Sequence, residues 1–244
     1  MQKFEWQIAR VTKIVPETAR AKTFTLQLPQ WQPHLPGQHY DVRLTADDGY
    51  QAQRSYSIAS PPAQTGEIEI TVDLVAEGEI STYLHESVAV GDPLEVRGPI
   101  GGYFVWGPAL VELPLLLIGG GSGVVPLMGM LRHRRAIGAR NPTTVLYSVR
   151  RVEEAIYREE LERLAQQQPN AVDLRFTFTR QAPSGWAGYQ RRIDRAMLTE
   201  VLSGFTTHPQ CFVCGPSEMV EQVANTLVEL GVPPDILRTE RFGP

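Results

Sequence analysis

The stretch from Leu115 to Pro126, which reads LLLIGGGSGVVP, decides the fold of the second half of this chain. Its four apolar residues run into a glycine cluster, and a helix is predicted over residues 124–136. A buried strand that leads through glycines into a helix is typical of a dinucleotide-binding turn, because glycines let the backbone approach phosphates and the helix start offers free N–H groups. The predicted contacts are Gly120, Gly121, Ser122 and Gly123.

This glycine cluster departs from the strict Gly-x-Gly-x-x-Gly pattern. The third glycine position holds Val124 in one register and Pro126 in the other. A tight strand-to-helix turn without any ligand therefore stays open as an alternative.

Downstream of the cluster, predicted strands alternate with predicted helices. The strands cover residues 113–118, 143–149, 171–179 and 211–213, and the helices cover 124–136, 153–167, 195–202 and 218–230. Such alternation predicts a doubly wound α/β domain with a parallel sheet over residues 108–244.

Upstream of the cluster, the chain reads as short strands separated by turn residues such as Pro36-Gly37 and Asp48-Gly49. The strands cover residues 4–15, 23–28, 39–44, 53–58, 67–75 and 94–97, and one short helix is predicted over 80–88. This spacing predicts a small closed antiparallel barrel of Greek-key type over residues 1–107.

Composition and charge limit the function classes. A net charge of −4 argues against nucleic acid as the main partner, because phosphate binding needs a basic surface. The first residues lack the apolar core of a signal peptide, and the longest apolar run is too short to span a bilayer. We expect a cytoplasmic protein without a membrane span.

The cysteines and histidines predict no metal site. Cys211 and Cys214 are the two cysteines of the chain, fewer than a structural zinc site or an iron–sulfur cluster needs. They sit three apart in a predicted strand, so their side chains should point to opposite faces, although the CxxC spacing leaves a redox pair as an alternative. His34, His85 and His133 have no metal-like spacing.

The end of the second predicted parallel strand bears on the choice of nucleotide. An acidic residue there commonly binds the ribose hydroxyls of NAD, but no acid occurs before Glu153. Ser148, Arg150 and Arg180 instead suit a 2′-phosphate through charge-assisted bonds, which favours NADPH over NADH. Solvated surface arginines are the alternative.

The barrel carries Arg54-Ser55-Tyr56-Ser57. Placed before a dinucleotide-binding domain, this segment resembles the Arg-x-Tyr-Ser flavin motif of the ferredoxin–NADP reductase family. Further segments resemble the same family in the same order, so that the likeness covers nearly the whole chain: Pro36-Gly37-Gln38, Gly78 to Thr82, Gly119 to Pro126, Cys214-Gly215-Pro216 and Glu240-Arg241-Phe242.

The resemblance implies bound FAD and assigns roles to residues. Arg54 would pair with the FAD pyrophosphate, Tyr56 would pack against the flavin, and Ser57 would lie near flavin N5. The implied catalytic residues are Ser57, Cys214 and Glu240. The implied cofactor contacts beyond the glycine cluster and the 2′-phosphate residues are Arg54, Ser55, Tyr56, Ser57, Val72, Gly78, Ser81, Thr82, Cys214, Gly215, Pro216 and Phe242.

Structural alternatives stay open for several of these residues. Cys214 could be a small buried core residue, since free cysteine packs like a hydrophobic side chain. Glu240 and Phe242 could belong to a surface tail.

The resemblance also implies an enzyme, an FAD-dependent oxidoreductase that transfers hydride from NADPH, or less favourably NADH, to FAD. Because two cysteines cannot hold a [2Fe–2S] cluster, we expect the acceptor to be a separate protein such as a ferredoxin, a flavodoxin or an oxygenase component. We also expect a monomer. The alternatives are an NAD(P)H:flavin or quinone reductase, a non-catalytic flavoprotein subunit, and a flavin-free NAD-dependent dehydrogenase.

Overall fold

The computed structural model describes residues 4–242, which form two sheets. The strands of the first sheet are β1 (Gln7–Pro16), β2 (Ala21–Gln27), β3 (His39–Thr45), β4 (Gln51–Ser57), β5 (Glu67–Asp73) and β6 (Pro93–Ile100). Their order is β4-β3-β6-β1-β2-β5, every pair is antiparallel, and α1 (Glu79–Glu86) lies between β5 and β6 along the chain.

The barrel closes where β4 ends. Ile58, the residue after β4, bridges Ile70 on β5 at the opposite edge of the sheet. The fully buried side chains of Phe24, Val42 and Val96 fill the interior. The predicted antiparallel barrel is confirmed, and its apolar core explains why these short alternating segments form strands.

The second sheet is parallel. Its strands are β7 (Leu115–Gly120), β8 (Thr143–Arg151), β9 (Val172–Gln181), β10 (Gln210–Pro216) and β11 (Leu237–Phe242). Its helices are α2 (Val124–Ala136), α3 (Arg158–Gln167), α4 (Arg195–Ser203) and α5 (Ser217–Glu229). The strand order is β11-β10-β7-β8-β9, so the direction of winding reverses between β7 and β10.

Helices cover both faces of this parallel sheet. Leu127 of α2 and Leu161 of α3 are buried with Leu117 on one face, whereas Leu198 of α4 and Val223 of α5 are buried in the core of the other face. The predicted doubly wound domain is confirmed. In such a domain a crevice opens at the carboxyl ends of the strands where the winding reverses, here β7 and β10.

One predicted helix starts later in the structure, and one strand is not among the predicted elements. The helix predicted over residues 153–167 begins only at Arg158, because residues 152–154 form a separate 3-10 turn and Tyr157 has a left-handed φ of 58°. The strand β11 was not predicted, since its sequence LRTERF is mostly polar and lacks a strand pattern. The two sheets lie on either side of the predicted boundary at residues 107 and 108, which itself stays a prediction.

Across residues 4–242, no helix combines the length and the apolar character that a bilayer crossing requires.

Candidate functional site

The glycine turn lies at the carboxyl end of β7. Strand β7 continues through Gly120, a 3-10 turn covers Gly121–Gly123, and α2 begins at Val124. A Cβ on Gly123 would lie 2.2 Å from the carbonyl oxygen of Cys214, so no side chain fits there. Gly121 has a φ of 54° and open space where its Cβ would be. The turn is therefore packed on β10 on one side and open on the other, as a phosphate cradle must be.

A buried tyrosine holds this turn in place. The Tyr147 hydroxyl donates to the Gly121 carbonyl oxygen at 3.1 Å and accepts from the Ile156 N–H at 3.1 Å. Burial raises the pKa of Tyr147, so the hydroxyl stays protonated. No sequence pattern points to Tyr147, because a buried aromatic residue in a strand carries no signal of such a role.

Cys214 of β10 lies beside Glu240 of β11. The two residues are partners in the parallel register, and the Cys214 Sγ is 4.0 Å from the Glu240 Oε2. Burial raises the pKa of Glu240 to about 7. The pKa of Cys214 is raised well above its usual range, mainly by burial and to a smaller extent by the nearby Glu240 carboxylate. At neutral pH the site thus holds a neutral thiol beside a carboxyl group that can hold or release a proton.

The two cysteines form no disulfide. Both are free and buried, with Cys211 in the core on the α4 and α5 face of the sheet and Cys214 in the core on the α2 and α3 face. The predicted opposite orientation is confirmed.

The Arg-x-Tyr-Ser segment lies on β4, at the edge of the barrel sheet. Ser57 is buried and Tyr56 packs against the barrel core, where burial raises its pKa to about 12. Arg54 is exposed, and among the residues described its side chain donates only to the Gln53 carbonyl oxygen, at 2.9 Å. Its remaining N–H groups are free to bind an anion.

Two of the predicted cofactor contacts on the barrel also have a part in the structure of the barrel itself. The side chain of Val72 is wholly buried in the barrel core, and its contact with a cofactor stays a prediction. The Ser81 hydroxyl donates to the Gly78 carbonyl oxygen at 3.1 Å and accepts from the Val75 N–H at 3.2 Å. Ser81 therefore shapes the loop, whereas the start of α1, which has no side-chain cap, leaves backbone N–H groups for a phosphate. Thr82 is half-buried in the same turn.

Helix α2 brings the two motifs to one interface between the sheets. A Cβ on Gly129 would lie 2.6 Å from the carbonyl oxygen of Ile58, the residue that follows Ser57. Phe104, from the loop after β6, packs edge-on against Phe212 of β10 with ring centroids 5.4 Å apart. The glycine turn, Cys214 and the end of β4 therefore lie around one interface between the two sheets.

The predicted 2′-phosphate residues lie at the carboxyl edge of the parallel sheet. Ser148 is half-buried, and Arg150 and Arg180 are exposed near the ends of β8 and β9. The role of these three residues at a 2′-phosphate stays a prediction.

The C-terminal strand pairs with β10, the strand that carries Cys214. Phe242 pairs with Pro216 in the register of β10 and β11, and its ring packs against the core beneath α2 and α3. Glu240 and Phe242 thus belong to a strand of the sheet and not to a surface tail.

These residues fit FAD and a nicotinamide dinucleotide. The free guanidinium of Arg54 and the uncapped start of α1 suit one pyrophosphate, and the open side of Gly121 suits another. In the part of the chain that the structure describes, no group of three or more His, Cys, Asp or Glu side chains could hold a metal ion.

Comparisons with known proteins agree with this geometry. Residues 7–105 match the family model described as "Oxidoreductase FAD-binding domain", and residues 117–225 match "Oxidoreductase NAD-binding domain". The chain is 31% identical over 243 residues to the glycine betaine monooxygenase reductase subunit of Chromohalobacter salexigens, covering 96% of this chain and 63% of that protein. It therefore spans less than two thirds of the length of this relative.

Solved structures share the fold. The FAD/NAD-binding domain of nitric oxide dioxygenase from Vibrio cholerae is similar with a TM-score of 0.83 and 24% identity, over 97% of this chain and 98% of that one. A ferredoxin NADP+ reductase from Neisseria gonorrhoeae with bound FAD and NADP gives a TM-score of 0.80 and 19% identity, over 97% and 98% of the two chains.

Proposed function

Because this chain belongs to the ferredoxin–NADP reductase family of FAD- and NAD(P)-binding oxidoreductases, we propose that it catalyses electron transfer from NADPH through FAD to a separate protein. The observation that carries this proposal is the close approach of the two motifs: α2 starts at the glycine turn, which packs on Cys214, and at Gly129 it touches Ile58, the residue after the Arg54–Ser57 segment. When bound, FAD and the nicotinamide would supply the redox chemistry, which is hydride transfer followed by release of single electrons.

The barrel residues bind and orient FAD. Arg54 pairs with the pyrophosphate through its free N–H groups, together with the backbone N–H groups that follow Gly78. Tyr56 packs against the flavin, and Ser57 offers its hydroxyl beside the reacting edge of the ring.

The residues of the second domain orient the nicotinamide. Gly121 and Gly123 admit the nucleotide pyrophosphate close to the backbone. Cys214 presents a small neutral thiol to the ring, because burial keeps it protonated. Glu240 can hold a proton next to this thiol near neutral pH, and Phe242 covers the cleft from the end of β11.

NADPH is the proposed reductant. Arg150 and Arg180 are exposed arginines at the edge where the adenosine end of the nucleotide would lie, and Ser148 offers a hydroxyl there. Guanidinium groups suit the two negative charges of a 2′-phosphate better than the hydroxyl of NADH.

The proposed acceptor is a one-electron carrier such as a ferredoxin, a flavodoxin or an oxygenase component. The relatives named as reductase components, including the 3-ketosteroid-9-alpha-monooxygenase ferredoxin reductase component of Rhodococcus rhodochrous, support an oxygenase system. The cytoplasmic location and the monomeric state stay predictions, which cell fractionation and size-exclusion chromatography with light scattering would test.

Anaerobic stopped-flow reduction of the FAD-loaded protein tests the function. Rapid flavin bleaching with NADPH, and slow bleaching with NADH, is the expected result. Rapid bleaching with NADH alone would keep the reductase and overturn the choice of NADPH. If neither nucleotide bleaches the bound flavin, the protein is a non-catalytic flavoprotein subunit.

A second measurement separates the leading function from a flavin or quinone reductase. The NADPH-reduced protein should pass electrons to a ferredoxin or flavodoxin faster than to free flavin or to a soluble quinone. The reverse preference would support the flavin or quinone reductase.

A further inference from the structure

We infer that Arg132 is a positioning residue that fixes the NAD(P)-binding domain on the barrel and thereby sets the contact between nicotinamide and flavin. The inference rests on the proposed function and extends it. Arg132 lies in α2, outside every motif of the family resemblance, and its side chain is only 17% exposed.

A single guanidinium group joins three elements. Arg132 Nη1 donates to Glu69 Oε2 of β5 at 2.8 Å and to the Ala59 carbonyl oxygen at 3.1 Å, and both acceptors belong to the barrel. Its Nε and Nη2 donate to the two oxygens of Glu160 on α3, at 3.0 and 2.6 Å. The bonds to Glu160 therefore hold the guanidinium from within its own domain, and the bonds to Glu69 and Ala59 cross to the barrel.

A tyrosine makes a parallel connection beside Arg132. The guanidinium carbon of Arg132 lies 5.0 Å from the centroid of the Tyr157 ring. The Tyr157 hydroxyl bonds with Thr71 of β5, and the Thr71 hydroxyl lies 2.7 Å from the Thr23 hydroxyl of β2. Tyr157 holds a left-handed φ of 58°, an uncommon backbone conformation for a side chain of this size. Such conformations persist where the surrounding contacts over-determine them.

Gly129 allows α2 to pack closely against the barrel. Because its Cβ would lie 2.6 Å from the Ile58 carbonyl oxygen, the helix can approach β4 this closely only with glycine at this position. Gly129 sets how near α2 comes to the barrel, and Arg132, on the next turn, sets how the helix is held there.

Helix α2 links this attachment to both cofactor sites. At its start it follows directly from Gly123 of the glycine turn, and at Gly129 it touches Ile58, which follows Ser57. A shift of α2 on the barrel would therefore move the nicotinamide turn relative to Ser57. Hydride transfer needs the reacting atoms at about 3 to 3.5 Å, and a misplacement of about 1 Å can cost about a hundredfold in rate.

The nature of the attachment supports a positioning role. Ion pairs removed from water are weak contributors to stability, because desolvation offsets much of their attraction. A bidentate arginine instead fixes direction, since its planar fork demands one arrangement of its acceptors. Buried apolar contacts such as that of Phe104 with Phe212 stabilise the association of the domains, and Arg132 fixes their relative orientation.

Two substitutions of similar chemistry separate the effect of the bond from Arg132 to the barrel from the effect of its bonds within the NAD(P)-binding domain. Glu69→Gln weakens the bond that crosses to the barrel, whereas Glu160→Gln weakens the bond within the NAD(P)-binding domain. Arg158→Gln is the control for loss of an exposed ion pair, since Arg158 bonds only with Glu162 on its own helix among the residues described.

The first readout is the distance between the domains in the FAD-loaded protein. Spin labels are attached to the exposed positions Ser87→Cys in the barrel and Ser203→Cys in the other domain, and pulsed electron spin resonance measures the distance between them. Cys211 and Cys214 are buried, so they do not react with the label. We expect a narrow distribution for the parent and for Arg158→Gln, and a broader or shifted one for Glu69→Gln. Glu160→Gln should change it less than Glu69→Gln does.

The second readout is stopped-flow flavin reduction over a range of NADPH concentrations. Glu69→Gln should lower the limiting rate about tenfold or more and leave the Kd of NADPH within about twofold, because positioning and not nucleotide binding is lost. The charge-transfer absorbance of the stacked rings should fall in parallel. FAD affinity and the far-ultraviolet circular dichroism should match the parent and establish that the variant is folded.

The inference is overturned if Glu69→Gln leaves both the distance distribution and the limiting rate unchanged. It is equally overturned if Glu160→Gln and Glu69→Gln act alike on both. Failure of the parent protein to be reduced by either nucleotide would reject the proposed function, and the distance measurement would still decide whether Arg132 fixes the domains.

Discussion

Cys214 and Glu240 lie opposite each other on neighbouring parallel strands, with the thiol sulfur of Cys214 4.0 Å from a carboxylate oxygen of Glu240. The pairing of β10 with β11 produces this contact, although 26 residues separate the two in the chain. It places a carboxyl group with a pKa of about 7 at the carboxyl edge of the sheet, next to the glycine turn. The following predictions test this group and its neighbours.

Glu240 should make stability depend on pH. Its folded-state pKa of about 7 lies above the ordinary 4.5, so the protonated form is favoured in the folded protein. The stability from this group is therefore complete below pH 4.5 and is lost as the pH rises to about 7. As the pH rises across this window, the free energy of unfolding of the parent should fall by up to about 3 kcal/mol relative to that of Glu240→Gln. Thermal unfolding of both FAD-loaded proteins between pH 5 and pH 8 measures it, and parallel curves would contradict the prediction.

Arg54→Ala should weaken FAD binding. The free guanidinium of Arg54 is the charged partner proposed for the pyrophosphate, and a hydrogen bond to a charged group contributes about 1.5–3 kcal/mol. The Kd for FAD should therefore rise about tenfold to a hundredfold, as measured by flavin fluorescence during titration of the apoprotein. Arg10→Ala is the matched control, because Arg10 is also exposed on the barrel and donates to the Gly91 carbonyl oxygen. An equal loss of affinity in both variants would remove Arg54 from the site.

Gly123→Ala should destabilise the NAD(P)-binding domain. The added methyl group would lie 2.2 Å from the Cys214 carbonyl oxygen, so the turn and β10 must move apart. Overpacking of this kind costs about 1–3 kcal/mol. Chemical unfolding followed by tryptophan fluorescence measures the loss. Gly107→Ala, where nothing lies within 4 Å of the added Cβ, should stay close to the parent. Equal stability of the two variants would show that the turn yields without strain.

Arg150→Ala should change nucleotide preference. If Arg150 binds the 2′-phosphate, its removal should raise the Kd for NADP+ about tenfold or more and leave the Kd for NAD+ unchanged. Arg140→Ala is the matched control, because Arg140 is also exposed and lies before β8 begins, at the opposite end of the strand from Arg150. Equilibrium titration of the oxidised protein with NADP+ and NAD+ gives the comparison. A uniform loss for both nucleotides would assign Arg150 a general electrostatic role.

Part of the site was predictable because its signals are local. The apolar run of β7, the glycines after it and the start of α2 at Val124 are read from adjacent residues, and the structure has them where the sequence predicted. The barrel and the doubly wound sheet followed from the alternation of short strands with turns and then with helices.

Other parts could not be read from local patterns. The late start of α3 depends on the left-handed Tyr157, whose conformation is stabilised by contacts with the barrel. The bond of the Ser81 hydroxyl with the Val75 N–H depends on the path of the loop before α1, and the burial of Val72 depends on packing with side chains from other strands of the barrel. Strand β11 is polar in sequence and gains its place by pairing with β10.

By itself the sequence determined the two domain types, the order of the cofactor motifs and the family. These properties depend on residue type and spacing, which determine periodicity, turn chemistry and backbone freedom within a short window. Only the tertiary structure decided that Cys214 meets Glu240, that Tyr147 holds Gly121 and that Arg132 ties α2 to Glu69. Each of these contacts joins residues far apart in the chain, so it depends on strand register and on the packing of one domain against the other, which no local window contains.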